Sequence, residues 1–112
     1  MNSDNIEVME VQLLHNKACT FYKKVMDVLE EVLAEKGLPV RYEVILISDD
    51  EEAKQYKFFG SPQIMVDGKD IDQNAQKIIN YHADGCRVYL YQGQTHDAPP
   101  KEMIIEALEN IK

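Results

Sequence analysis

Cys19 stands in the stretch HNKACTFY, residues 15–22, where a short apolar run gives way to a long helical pattern. A thiol at a strand-to-helix junction faces unpaired backbone N–H groups and the positive end of the helix dipole. Such a place favours the thiolate, the form that attacks a disulfide. Lys17, Lys23 and Lys24 add positive charge around it. His15, at the end of the run, is the expected neighbour of the sulfur. Tyr22 stands three residues after Cys19, where a dithiol site of the C-x-x-C type has its second cysteine. Its hydroxyl is placed to bond a thiolate or a bound substrate, and packing in the core is an equal use for it. The bland reading of Cys19 is a small buried residue at a helix start.

A second feature gives the reactive reading its weight. Ser61-Pro62 stands directly before the apolar run QIMV. If that run pairs antiparallel with the first strand, its start lies beside the end of the first strand and against Cys19. A cis bond there aims the Ser61 backbone at whatever is bound to the sulfur, so Ser61-Pro62 is expected to be cis, although few X-Pro bonds are.

The elements that must hold these residues follow from periodicity. Met9, Val11 and Leu13 alternate with Glu10 and Gln12, the pattern of a strand. Phe21, Val25, Val28, Leu29 and Val32 recur at helical spacing, and Gly37 is the natural stop. Residues 40–48, VRYEVILIS, read as a well-buried strand. SDDE at 48–51 has the form of a capping box opening a short helix to about Lys57. Residues 61–70 read as a strand entering a turn at Asp67-Gly68, and residues 86–91, CRVYLY, as a further strand. Asp97 is expected to cap a last helix, with Pro99 near its start and Ile104, Ala107, Leu108 and Ile111 facing inward. Residues 71–85 are polar and show only a weak helical hint. The expected architecture is a single α/β domain over residues 1–112, in the order βαβαββα, with a mixed four-stranded sheet and helices on both faces.

Composition narrows the function classes. The chain has 112 residues, 45% of them hydrophobic, which suits one folded domain. Twenty acidic against 12 basic residues give a net charge of −8. A surface of that sign repels phosphate backbones and anionic membranes, so neither nucleic acid nor a membrane is an expected partner. The N-terminal residues show no basic start and no apolar core of a signal peptide. A cytoplasmic location is the expectation, and in that compartment structural disulfides are rare.

In the order of its elements, its cysteine at the first helix and its GSP (60–62) before the third strand, the sequence resembles the thioredoxin superfamily over nearly its whole length. It is similar in detail to small prokaryotic thioredoxin-like proteins. They share GSP-x-I-x-V-x-G-x-D, here 60–70, then C-R-x-Y, here 86–89, then P-P-x-E-M-I, here 99–104. The resemblance implies a thiol–disulfide site in which Cys19 attacks and a cis Pro62, with Ser61, shapes the substrate groove. It implies proteins or small thiols and disulfides such as glutathione as partners, and no cofactor. The CTFY segment departs from the dithiol pattern at Tyr22, so the expected chemistry is monothiol, with an outside thiol resolving the mixed disulfide. Monothiol glutaredoxins work in this way, although their C-G-F-S motif is matched only at Cys19 and Phe21.

Two rival readings remain. A thioredoxin-like domain that has lost its second cysteine can be a non-catalytic binder of proteins or peptides. His15 with Cys19 and His82 with Cys86 repeat H-x-x-x-C, and two such pairs would supply four zinc ligands if they met. The expected layout sets them at different ends of the sheet. For the same reason Cys86 is expected a strand length from Cys19, beyond the ~7 Å α-carbon limit of a disulfide. It reads as a buried strand-end cysteine rather than a resolving thiol.

Overall fold

A computed structural model of the chain describes residues 8–20, 22–37 and 39–110. Strand β1, Met9–His15, is the spine of the domain. Val11 and Leu13 point to one face of the sheet and Leu14 to the other, and all three are fully buried. Helix α1, Tyr22–Lys36, buries Val25, Leu29, Val32 and Leu33 against the Val11 face. It ends at Gly37, whose positive φ of 62° closes the helix with a bond from its N–H to the Leu33 carbonyl. Strand β2, Val40–Leu46, then runs parallel to β1, as a strand-helix-strand crossover requires.

Helix α2, Asp50–Tyr56, is capped one residue later than the sequence suggests. Asp49, not Ser48, is the N-cap and accepts from the Glu52 N–H at 2.9 Å, while Glu52 Oε1 accepts from the Ser48 N–H at 2.8 Å. The helix buries Ala53, which packs with Leu14, Ile47, Phe58 and Met65 on the second face. Strand β3, Gln63–Val66, runs antiparallel to β1 and is buried at every position. Asp67 and Gly68, both with positive φ, turn it into the two-residue strand β4, Lys69–Asp70. The sheet order is β2-β1-β3-β4. Helix α3, Lys101–Asn110, starts two residues later than Pro99 suggests and joins α1 through Ile104, Ala107 and Leu108. The α/β class, the mixed four-stranded sheet and helices on both of its faces are as expected. Phe21 and Ile111, expected on the inner faces of α1 and α3, lie outside the described residues.

Two elements differ from expectation. Strand β2 is not well buried. Among the described residues it is an edge strand with one neighbour, and Val44 and Leu46 each remain 40% exposed. The fourth strand of the sheet is β4, not 86–91. Residues 71–85, with a 3-10 turn at Gln73–Lys77, lead the chain back to the start of β3. There Cys86 forms a parallel bridge with Ser61. Tyr89–Tyr91 (β5) then pairs with Gln94–His96 (β6) as a separate hairpin turned at Gln92-Gly93. Among the described residues no helix is long and apolar enough to cross a membrane.

Candidate functional site

The loop between β1 and α1 is held by Asn16, a buried polar residue directly after the spine strand. Its side-chain oxygen accepts from the Cys19 N–H at 3.0 Å. Its amide nitrogen donates to the Ala83 carbonyl at 3.0 Å and the Gly85 carbonyl at 2.8 Å. A local side-chain bond of this kind competes with helix formation. Cys19 accordingly sits in the loop between β1 and α1, at the strand-to-helix junction where the sequence placed it.

Cys19 is 3% exposed, and its Sγ donates to the Ser61 carbonyl at 3.5 Å. The Ser61-Pro62 bond that follows this carbonyl is cis, as expected from the placement of the third strand. The Ser61 carbonyl also accepts from the Arg87 N–H at 3.1 Å, and the Ser61 N–H donates to the Gly85 carbonyl at 3.0 Å. The Pro62 carbonyl accepts from the Tyr89 hydroxyl at 2.5 Å. Cys19, Ser61 and Pro62 are therefore brought together, as the sequence reading asked.

Cys86 corrects that reading. It is exposed rather than buried, and it stands beside Ser61 rather than a strand length away. The neighbouring Cys19 side chain, partial burial and the charge of Asp97 push the Cys86 pKa up. Cys19 and Cys86 thus flank one peptide carbonyl. Both are free thiols. Replacing Cys19 with serine removes the largest cause of the Cys86 shift. The pH midpoint for iodoacetamide alkylation of Cys86 is expected to fall in Cys19→Ser. An unchanged midpoint would show that the two side chains do not meet.

The side chains of His15 and Tyr22 meet face to face. Their rings stack at 3.7 Å with an angle of 10°. Burial lowers the His15 pKa, against an opposing bond from Nδ1–H to the Asn16 carbonyl at 3.4 Å. A neutral ring at pH 7 follows, so His15 adds no positive charge to the site. Lys17 is exposed on the loop.

Sequence reasoning passed over the groups that fix the second half of the site. Arg87 is buried and meets Asp70 through two bonds, at 2.6 and 3.2 Å. Burial pushes the Asp70 carboxyl up, and the guanidinium opposes it. The guanidinium lies between the rings of Phe59 at 4.4 Å and Tyr89 at 4.2 Å. A Cβ on Gly60 would come within 3.1 Å of Arg87 Cβ, so a glycine there admits the segment that carries Arg87. An arginine inside the apolar run 86–91, with an acidic cluster at Asp67, Asp70 and Asp72, was the available signal. Asn16, three residues before Cys19, was the signal for the loop cap.

Among the described residues no group of three or more His, Cys, Asp or Glu side chains converges as a metal site would need. A cleft of about 200 Å³ lined by Lys57, Phe59, Gln63, Lys69 and Tyr81 opens elsewhere and includes neither cysteine.

A family model described as a domain of unknown function, DUF2703, matches residues 15–108. None of the curated proteins and none of the solved structures matches the chain. The matched segment runs from His15 through Cys19, cis Pro62 and Cys86 into α3, and the chain belongs to the DUF2703 family.

Proposed function

We propose that the chain is a thiol–disulfide redox protein with a thioredoxin-like arrangement, resident in the cytoplasm, in which Cys19 is the nucleophile. One observation carries the reading: Cys19 Sγ lies 3.5 Å from the carbonyl that precedes cis Pro62 at the start of β3. The sheet order, with β3 antiparallel beside β1, supports the fold assignment. In the reaction the Cys19 thiolate attacks one sulfur of a substrate disulfide, the other sulfur leaves as a thiolate, and a mixed disulfide forms on Cys19. A second thiol then attacks that bond and releases the substrate as a thiol. Proteins and small thiols such as glutathione are the substrate class, and the acidic surface argues against nucleic acid.

Reduction of insulin disulfides with dithiothreitol as electron source tests this. The native chain is expected to accelerate the reaction, and Cys19→Ser to lose the acceleration while keeping its fold. The 3% exposure of Cys19 favours a second reading, a non-catalytic groove that grips a protein or peptide. A folded native chain that neither accelerates reduction nor accepts glutathione at Cys19 would establish that reading instead.

A further inference from the structure

We infer that Cys86 is the second cysteine of the site, so that the chain closes an internal Cys19–Cys86 disulfide and acts as a dithiol rather than a monothiol redox protein. The inference rests on the thiol–disulfide reading above and names the partner thiol it lacked.

The geometry has three parts. Cys86 is the bridge partner of Ser61, and the Ser61 carbonyl is the acceptor for Cys19 Sγ. The two cysteines therefore converge on the same peptide from two different segments. Asn16 ties those segments together, holding the Cys19 N–H with its oxygen and the Ala83 and Gly85 carbonyls with its nitrogen. Finally, Cys86 is exposed while Cys19 is buried, so an outside dithiol reaches the closed disulfide at the Cys86 sulfur. Tyr22, which occupies the usual place of a second cysteine, is stacked on His15.

The order of events follows from the contact between the thiols. The neighbouring Cys19 side chain pushes the Cys86 thiol up. Once Cys19 is bonded to substrate, it no longer presents a thiol to Cys86, and Cys86 ionises more readily. With glutathione disulfide as oxidant, the Cys19 thiolate attacks one sulfur and a glutathione thiolate leaves. The Cys86 thiolate then attacks Cys19 Sγ in the mixed disulfide, and the second glutathione leaves. The protein loses two electrons and two protons, and glutathione disulfide becomes two glutathione molecules. An outside dithiol reverses the change.

The test treats the reduced full chain, Cys86→Ser and Cys19→Ser with glutathione disulfide, followed by acid quench and intact-mass and peptide analysis. Cys86 is exposed, so serine there is compatible with the fold. The expected result is a native chain lighter by two hydrogens with a Cys19–Cys86 linked peptide. Cys86→Ser is expected to hold glutathione stably on Cys19. If the native chain keeps glutathione on Cys19 as Cys86→Ser does, the dithiol inference falls and the monothiol reading stands. Uptake on Cys86 in Cys19→Ser with none on Cys19 in Cys86→Ser would overturn the assigned roles. If neither cysteine reacts, the redox reading falls, and the inference with it.

Discussion

Arg87→Ala is expected to destabilise the fold by about 3–5 kcal/mol, the usual consequence of leaving one member of a buried ion pair alone. Arg87 and Asp70 have side chains 7% and 4% exposed, so water does not replace the lost partner. The variant also loses the stacking of the guanidinium between Phe59 and Tyr89. Its pH dependence has a definite sign. Burial already raises the Asp70 carboxyl, and removing the guanidinium raises it further. A carboxyl with a raised folded pKa binds its proton more tightly when folded. Its contribution to stability is therefore present at low pH and lost as pH climbs through the folded pKa. The deficit of Arg87→Ala is accordingly expected to be smaller near pH 4 than at pH 7. Urea unfolding at the two pH values measures both quantities. Converting Arg87 to Met and Asp70 to Leu together should recover much of the loss, because apolar side chains of similar size carry no desolvation cost. A loss below about 1 kcal/mol in the single variant would mean that the pair is not closed in solution.

The same pair explains what the sequence concealed. The unit β1-α1-β2 was legible because each element shows its own period within a few residues: Val11 and Leu13 in the strand, Val25, Leu29 and Val32 in the helix. The start of β3 was legible because its meeting with Cys19 follows from antiparallel pairing alone. The place of Cys86 was not legible, since no local pattern sets it. It depends on how residues 71–85 return, on Arg87 reaching Asp70, and on Gly60 leaving room for the segment that carries Arg87. Read forward from the hairpin at Asp67-Gly68, the run 86–91 looked like the next strand of the sheet, and that guess carried Cys86 away from Cys19. The exposure of β2 was hidden for a related reason. Its composition reads as buried, but its burial depends on being at the edge of the sheet, which is a property of the assembled order.

Asn16 offers the second large effect, because its amide group is used in both senses. The oxygen accepts from Cys19 and the nitrogen donates twice, to Ala83 and Gly85. Asn16→Ala removes three hydrogen bonds at a buried position, each worth about 0.5–1.5 kcal/mol, so a loss of roughly 2–4 kcal/mol is expected. Asn16→Asp has nearly the same shape and tests the chemistry rather than the packing. An ionised carboxylate still accepts from the Cys19 N–H but faces two carbonyl oxygens, and it is expected to be at least as destabilising as alanine at pH 7. Protonation restores one donor. The folded-state pKa of the introduced carboxyl therefore lies above its unfolded value of about 3.9, and its penalty grows as pH rises through that window. Urea midpoints should bring Asn16→Asp closer to the native chain as pH falls, whereas Asn16→Ala should show no such approach. Both variants should also slow closure of the Cys19–Cys86 disulfide, since the side chain that joins the two segments is lost. Native-like stability in Asn16→Asp at pH 7 would show that the side chain does not bridge the β1–α1 loop to residues 83–85.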